Sequence, residues 1–101
     1  MVELVSKATQ KVLTELTGEP RVDVALRITL KDSIDHRLEI IEREISAFER
    51  KYKMFFKEFK HNWDEGKIPD KYSFEVERDY WEWEGLISRK GKIEGVKEWL
   101  I

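Results

Sequence analysis

Cysteine is absent from the 101 residues. That excludes disulfides, thiolate metal centres and a cysteine nucleophile. Side-chain amides are almost missing as well, with Gln10 and Asn62 alone of their kinds. Their scarcity beside abundant Lys, Arg and Glu matches the ion-pair-rich usage of thermophilic proteins. That bears on habitat and not on function. No apolar run approaches the ~20 residues of a membrane span. The opening Met1-Val2-Glu3-Leu4 lacks the basic and then apolar regions of a signal peptide, so a cytoplasmic chain is expected. An excess of one charge is also missing. Nineteen Lys and Arg face twenty-one Asp and Glu, for a net charge of -2. A strongly basic nucleic-acid binder is disfavoured, and so is an acidic disordered tail.

What is present is charge of both signs, at 40% of residues, well above the roughly 25% of ordinary globular domains. The length suits one domain spanning 1–101. A chain this short buries only about 60–65% of its unfolded surface, so its core is thin.

Helical periodicity dominates. Leu4, Val5, Ala8, Val12, Leu13 and Leu16 recur at helical spacing over Val2–Leu16, and Gly18 followed by Pro20 ends the segment. From Arg21 to about Lys53 comes the strongest pattern. Ile34, Leu38, Ile41, Ile45, Phe48, Tyr52, Phe55 and Phe59 alternate spacings of 4 and 3, an unbroken heptad seam. Glu39 with Arg43 and Glu49 with Lys53 are Glu-first pairs at i, i+4, the better order for a helix. No Gly or Pro falls between Arg21 and Asp64. Such a seam predicts a homodimer, with Ile34, Leu38, Ile41, Ile45, Phe48 and Tyr52 as the oligomer seam.

One stretch reads two ways. Val22, Val24, Leu26, Ile28 and Leu30 alternate with polar residues and Ala25, which at period two is a strand. A strand feeding a helix would suggest a ribbon–helix–helix DNA-binding dimer, with Arg27, Thr29 and Lys31 as readers. At helical spacing Val22, Ala25, Leu26, Thr29 and Leu30 instead form a stripe that flows into Ile34. The helical reading is preferred, because the following helix is too long and no short second helix follows a tight turn.

Beyond it, Phe55, Phe56, Phe59 and Trp63 make an aromatic face over Met54–Glu65, and Gly66-Lys67-Ile68-Pro69-Asp70 reads as a loop. A last helix is predicted over Phe74–Ile101 with Ser73 as N-cap. Val76, Tyr80, Trp83 and Ile87 define its inner face, continued by Ile93, Val96 and Leu100. Gly85, Gly91 and Gly95 each cost about 1 kcal/mol in an isolated helix. Three of them suggest close backbone packing, or a helix that fixes only against a partner.

Catalytic chemistry finds no foothold. His36 lies off the seam. Glu58 and His61 form one Glu-x-x-His pair, half of a di-iron site in a helical bundle, and the second half is missing. Neither histidine has an Arg four to six residues before it, as in certain helical RNases. There is no Gly-rich phosphate loop and no serine nucleophile context. Glu75, Glu77, Asp79, Glu82 and Glu84 could hold Mg²⁺ in principle, but their spacing scatters them around a helix as a solvated face. No enzyme, cofactor or metal is predicted.

Two distributions remain. Eleven of the twelve aromatic residues lie between Phe48 and Trp83. Trp81 and Trp83 are about 200° apart on an ideal helix, so one buried face cannot hold both. Trp83 shares the Val76–Tyr80 face. Trp81 lies with Phe74, Gly85 and Ser88 on the other, as a knob beside small residues, unless the first helix curls back to cover it. Charge is segregated too. Arg50, Lys51, Lys53, Lys57 and Lys60 face only Glu49 and Glu58 in one stretch, whereas five acids face only Arg78 between Glu75 and Glu84. Either the two stretches complement each other, within a chain or across a dimer, or the acidic, aromatic helix occupies a basic groove on a partner.

Glu49-Arg50-Lys51-Tyr52-Lys53-Met54-Phe55-Phe56-Lys57-Glu58-Phe59, then Trp63 to Asp70, then Ser73 to Glu84, resembles a group of small helical proteins of archaea and thermophilic bacteria. Many of these look like antitoxin components of two-gene toxin–antitoxin pairs. Their pattern is a heptad helix ending in Lys-Tyr-Gly-Met-Ser, then Phe-x-x-Phe, a Gly-containing loop and an aromatic-acidic helix. The likeness covers roughly Leu30 to Leu86. Lys53 and Phe55 stand where that pattern often has Gly and Ser, which leaves open whether the long helix breaks near Met54. The resemblance implies a non-enzymatic module that neutralises a cognate toxin, such as a small RNase. Glu77, Glu82 and Glu84 would then occupy a basic groove, with Phe74 and Trp81 as apolar anchors beside Gly85 and Ser88. The expected fold is all-α: a long heptad helix with flanking helices, a hairpin or bundle completed by oligomerisation. The alternatives are the ribbon–helix–helix dimer and a helical scaffold without ligand.

Overall fold

The computed structural model describes residues 5–100, so the expectations that rest on Val2, Leu4 and Ile101 lie outside the described residues. Four helices follow in order: α1 Lys7–Thr17, α2 Val22–Tyr52, α3 Phe56–Asp64 and α4 Phe74–Leu100. The fold is all-α, with a long helix and flanking helices.

The helix ends follow local chemistry. The Ser6 hydroxyl accepts from the Thr9 amide at 3.2 Å and starts α1, and Gly18 at φ 72° ends it. Ser73 accepts from the Val76 amide at 3.2 Å at the head of α4, so an otherwise orphaned N–H is satisfied. Gly66, at φ 70°, lies just beyond the end of α3.

The period-two reading of Val22–Leu30 is overturned, because the stretch is the first two turns and more of α2. Of its helical stripe Ala25 is buried and Val22 and Thr29 are half-buried, while Leu26 and Leu30 are exposed. Ala25 is fully buried where α1 packs on α2, and the Thr29 hydroxyl donates to the Ala25 carbonyl at 2.9 Å. With this segment helical, no paired ribbon is available to enter a DNA groove. In α1 only Leu13 is buried, while Val12 and Leu16 stay exposed.

The predicted seam is real, but α4 of the same chain fills it. Leu38, Ile41 and Ile45 cluster with Ile93, with Ile34 and Leu86 packed against them. Phe48 and Tyr52 pack on Trp83 in a second cluster with Phe59, Ile68 and Tyr80. The homodimer expected at these six residues is therefore not needed to bury them. Three ion-paired contacts set an antiparallel register: Asp35 with Lys97 at 2.8 Å, Glu42 with Lys90 at 3.8 Å and Lys51 with Asp79 at 2.5 Å. The chain is a long hairpin, with extents of 58 × 25 × 23 Å and a radius of gyration of 19.6 Å. A compact domain of this length would have a radius near ~13 Å.

The seam does not run on through Phe55. α2 ends at Tyr52, and Lys53 takes the left-handed conformation at φ 58°, ψ 37°. That turns the chain, exposes Phe55 and folds Phe59 back into the core at 0% exposure. No Gly or Pro marks this break; a lysine holds a conformation that costs a side-chain-bearing residue about 1 kcal/mol.

On α4 the buried line differs from the predicted one. Tyr80, Trp83 and Ile93 are buried as predicted, but the line facing α2 runs through Val76, Asp79, Trp83, Leu86, Lys90, Ile93 and Lys97, while Ile87 and Val96 are exposed. The reason is that the α4 seam keeps a heptad spacing opposite α2, and lysine stems fill two of its positions while their ammonium groups reach Glu42 and Asp35. The glycines do not mark close packing within the chain. A Cβ built on Gly85, Gly91 or Gly95 meets nothing within 4 Å.

Candidate partner-binding face of helix α4

Helix α4 carries the two tryptophans on opposite sides, because residues two apart on a helix point about 200° apart. Trp83 is fully buried, with its ring 5.0 Å from Phe59, 5.3 Å from Phe56 and 5.5 Å from Phe48. Trp81 is 64% exposed and touches Tyr80 edge-on at 5.2 Å. Helix α1 packs on α2 and leaves Trp81 uncovered.

The structure gathers the remaining candidates on that outer side. Phe74, Glu77, Glu82, Gly85 and Ser88 are exposed, and Glu84 is half-buried. Phe74, Arg78, Trp81, Gly85 and Ser88 follow spacings of 4, 3, 4 and 3, so they form one stripe. Arg78 spans it, with its guanidinium 5.7 Å from the Phe74 ring and 3.9 Å from Glu82. Glu84 leans the other way, towards the buried Tyr80 phenol. Burial, and after it the Glu84 carboxylate, pushes that phenol's pKa up.

Beside the stripe, an open groove of about 630 Å³ runs between α2 and α4, lined by Glu44, Ala47, Phe48, Glu82, Gly85, Leu86 and Arg89. It opens along one edge of the hairpin. The Lys90–Glu42 and Lys97–Asp35 pairs bridge the two helices elsewhere.

The acids of α4 are not one solvated face. Asp79 is buried, at 4% exposure. Its Oδ2 accepts from Lys51 Nζ and from the Tyr52 hydroxyl, both at 2.5 Å, and Lys51 also donates to Glu75 at 2.7 Å. This network joins the end of α2 to the start of α4, and it is part of the charge complement between the basic and acidic stretches. Burial pulls the Asp79 carboxyl up. The Lys51 ammonium and Tyr52 hydroxyl outweigh it, and the net pKa falls below the ordinary 3.8. Lys51 is pushed up by Asp79 and then Glu75, and Tyr52 by burial and then Asp79. Position 79 sits in a run of acids, and no sequence signal separates it from Glu77 or Glu82 except its heptad spacing from Trp83.

A pH dependence follows. A lowered carboxyl stabilises the fold fully above its unfolded value, and the stabilisation is lost as pH falls through the folded value. Stability should therefore hold steady between about pH 5 and about pH 9 and drop in acid as Asp79 is protonated. Asp79→Asn is expected to cost about 2 kcal/mol at neutral pH, the scale of hydrogen bonds to a charged group. It should also flatten the acid limb. Urea midpoints recorded across pH for both proteins check this; equal acid slopes would contradict it.

No described group of three or more His, Asp or Glu residues is placed to hold a metal ion. His36 and His61 are exposed, and His61 lies 4.0 Å from Glu65. No helix among the described residues is long and apolar enough to cross a membrane. In comparisons with known proteins, no family model, no curated protein and no solved structure matches this chain.

Proposed function

We propose that this chain is a non-enzymatic protein-binding module that docks a partner on the outer face of α4, in the manner of an antitoxin neutralising a cognate toxin such as a small RNase. The observation that carries the reading is Trp81. An indole left 64% exposed beside an open glycine and between the exposed Glu77 and Glu82 has the chemistry of an interface anchor with an acidic rim. Phe74, also exposed, extends the anchor. The acids would meet basic side chains that otherwise bind RNA phosphate.

A second observation supports the antitoxin version. The resembled pattern places Gly and Ser around a helix break. Here the equivalent Lys53 is left-handed and Phe55 occupies the N-cap of α3 with φ -80° and ψ 160°. Those are the conformations that Gly and Ser favour.

The test uses the protein encoded by the adjacent gene as the ligand in calorimetry. Trp81→Ala is expected to weaken that binding by about 2 kcal/mol or more, roughly thirtyfold, with circular dichroism unchanged. Added salt should weaken it further, since exposed charge contacts are screened over about 8–10 Å. Unchanged affinity in Trp81→Ala would overturn the reading.

A further inference from the structure

We propose that, in the absence of another protein, the outer face of α4 is occupied by a second copy of this chain. The two α4 helices cross antiparallel at Gly85, and the groove-side edge of α4 in each copy, from Glu82 to Arg89, lies against the same edge of the other. This rests on the reading of the Trp81 face as a docking surface and names an occupant for it.

Three features converge on Gly85. The first is an open slot with a small rim. Gly85 and Ala47 are small residues of the groove, and Phe48 and Leu86 line it with apolar surface. Nothing in the chain fills this slot, so a helix edge can approach it closely at Gly85.

The second feature is the charge pattern. Glu82 and Arg89 both line the groove. They are seven residues apart, two turns along one line of the helix, with Gly85 and Leu86 midway. An antiparallel copy crossing at that midpoint sets Glu82 against Arg89 of the partner subunit, and Arg89 against Glu82 of the partner subunit. A parallel copy would set like charges together. Within the chain, Arg89 has no carboxylate in ion-pair range among the described residues, and Glu82 has only Arg78 at 3.9 Å. Third, a Cβ at Gly85 would meet nothing within 4 Å, so the crossing point is open to a second backbone. A surface that complements itself about a two-fold axis is what an isologous dimer needs.

The experiment is sedimentation equilibrium of the full chain with charge-swap variants. Wild type should be a dimer at micromolar concentration. Glu82→Arg alone and Arg89→Glu alone should each weaken self-association at least tenfold, because each homodimer then faces like charges. An equimolar mixture of these two variants should recover a dimer, because every cross-pair is again opposite in sign. Gly85→Leu should be monomeric with its helical signal intact, since leucine favours the helix but blocks the crossing. A monomeric wild type, single swaps that dimerise like wild type, or a mixture that stays monomeric would each overturn the proposal.

The two readings fail separately. A monomeric wild type that still loses the adjacent-gene protein on Trp81→Ala removes the dimer and leaves the binding module. A dimer that passes the swap test, in a chain whose affinity for that protein ignores Trp81→Ala, leaves the dimer and removes the module.

Discussion

Trp83→Ala is expected to destabilise the hairpin by about 3–5 kcal/mol, the usual cost of deleting a buried aromatic. The indole is fully buried where α2, α3 and α4 meet. Its removal opens a cavity bordered by Phe48, Tyr52, Phe56 and Phe59, whose rings all lie within 5.9 Å of it. Small domains hold only about 5–15 kcal/mol in total, so this variant loses a large part of its stability. Trp83 Nε1 has no hydrogen-bond partner. Trp83→Phe therefore gives up ring area but also removes a buried unpaired donor, which is itself worth about 1–3 kcal/mol. Its cost should be less than half that of alanine. Chemical denaturation of the two variants checks the order. Equal costs would mean that the N–H is paired in solution, and a silent Trp83→Ala would mean that the faces of α4 are assigned backwards.

Ile41→Asp is expected to unfold the distal half of the hairpin at 25 °C. Ile41 lies between Leu38 and Ile45 and packs with Ile93 in an apolar cluster, with Arg37 and Arg89 only at its rim. Placing a charge there costs several kcal/mol unless the group is neutralised or the helices part. Ile40→Asp, one residue along and 39% exposed, should cost no more than about 1 kcal/mol. The helical signal at 222 nm for the pair provides the comparison. Similar losses in both would show that α4 does not discriminate the seam of α2 from its flank.

The seam of α2 was legible because Ile34 to Tyr52 are apolar at every heptad position. What fills it was not, since a seam has the same spacing whether the second helix comes from another chain or from residues about thirty to sixty places further on. On α4 the inner face was legible as far as Trp83 and then diverged to Ile87 and Val96. The true line passes through Lys90 and Lys97, whose charges disguise seam positions that their stems cover. The break at Lys53 was hidden for a different reason. A left-handed lysine carries no compositional mark, and Phe55 completes the heptad spacing although it is exposed. Asp79 was hidden by its neighbours, because burial and the Lys51 and Tyr52 contacts arise only once α2 and α4 meet. The split of Trp81 from Trp83 needed only helical geometry, and it was readable from the chain.

The pairing of α2 with α4 inside one chain frees the outer face of α4, and the absence of native cysteine makes that pairing directly measurable. Asp35→Cys and Lys97→Cys in one chain replace an ion pair on the two helices whose charged atoms lie 2.8 Å apart. That pair is open to solvent and screened, so its loss should leave the hairpin folded. A short bis-maleimide cross-linker, followed by denaturing electrophoresis, should give one band at the mass of a single chain. A covalent dimer formed in high yield between chains carrying one cysteine each, Asp35→Cys in one and Lys97→Cys in the other, would instead place α2 against α4 of a different molecule and contradict the intrachain hairpin.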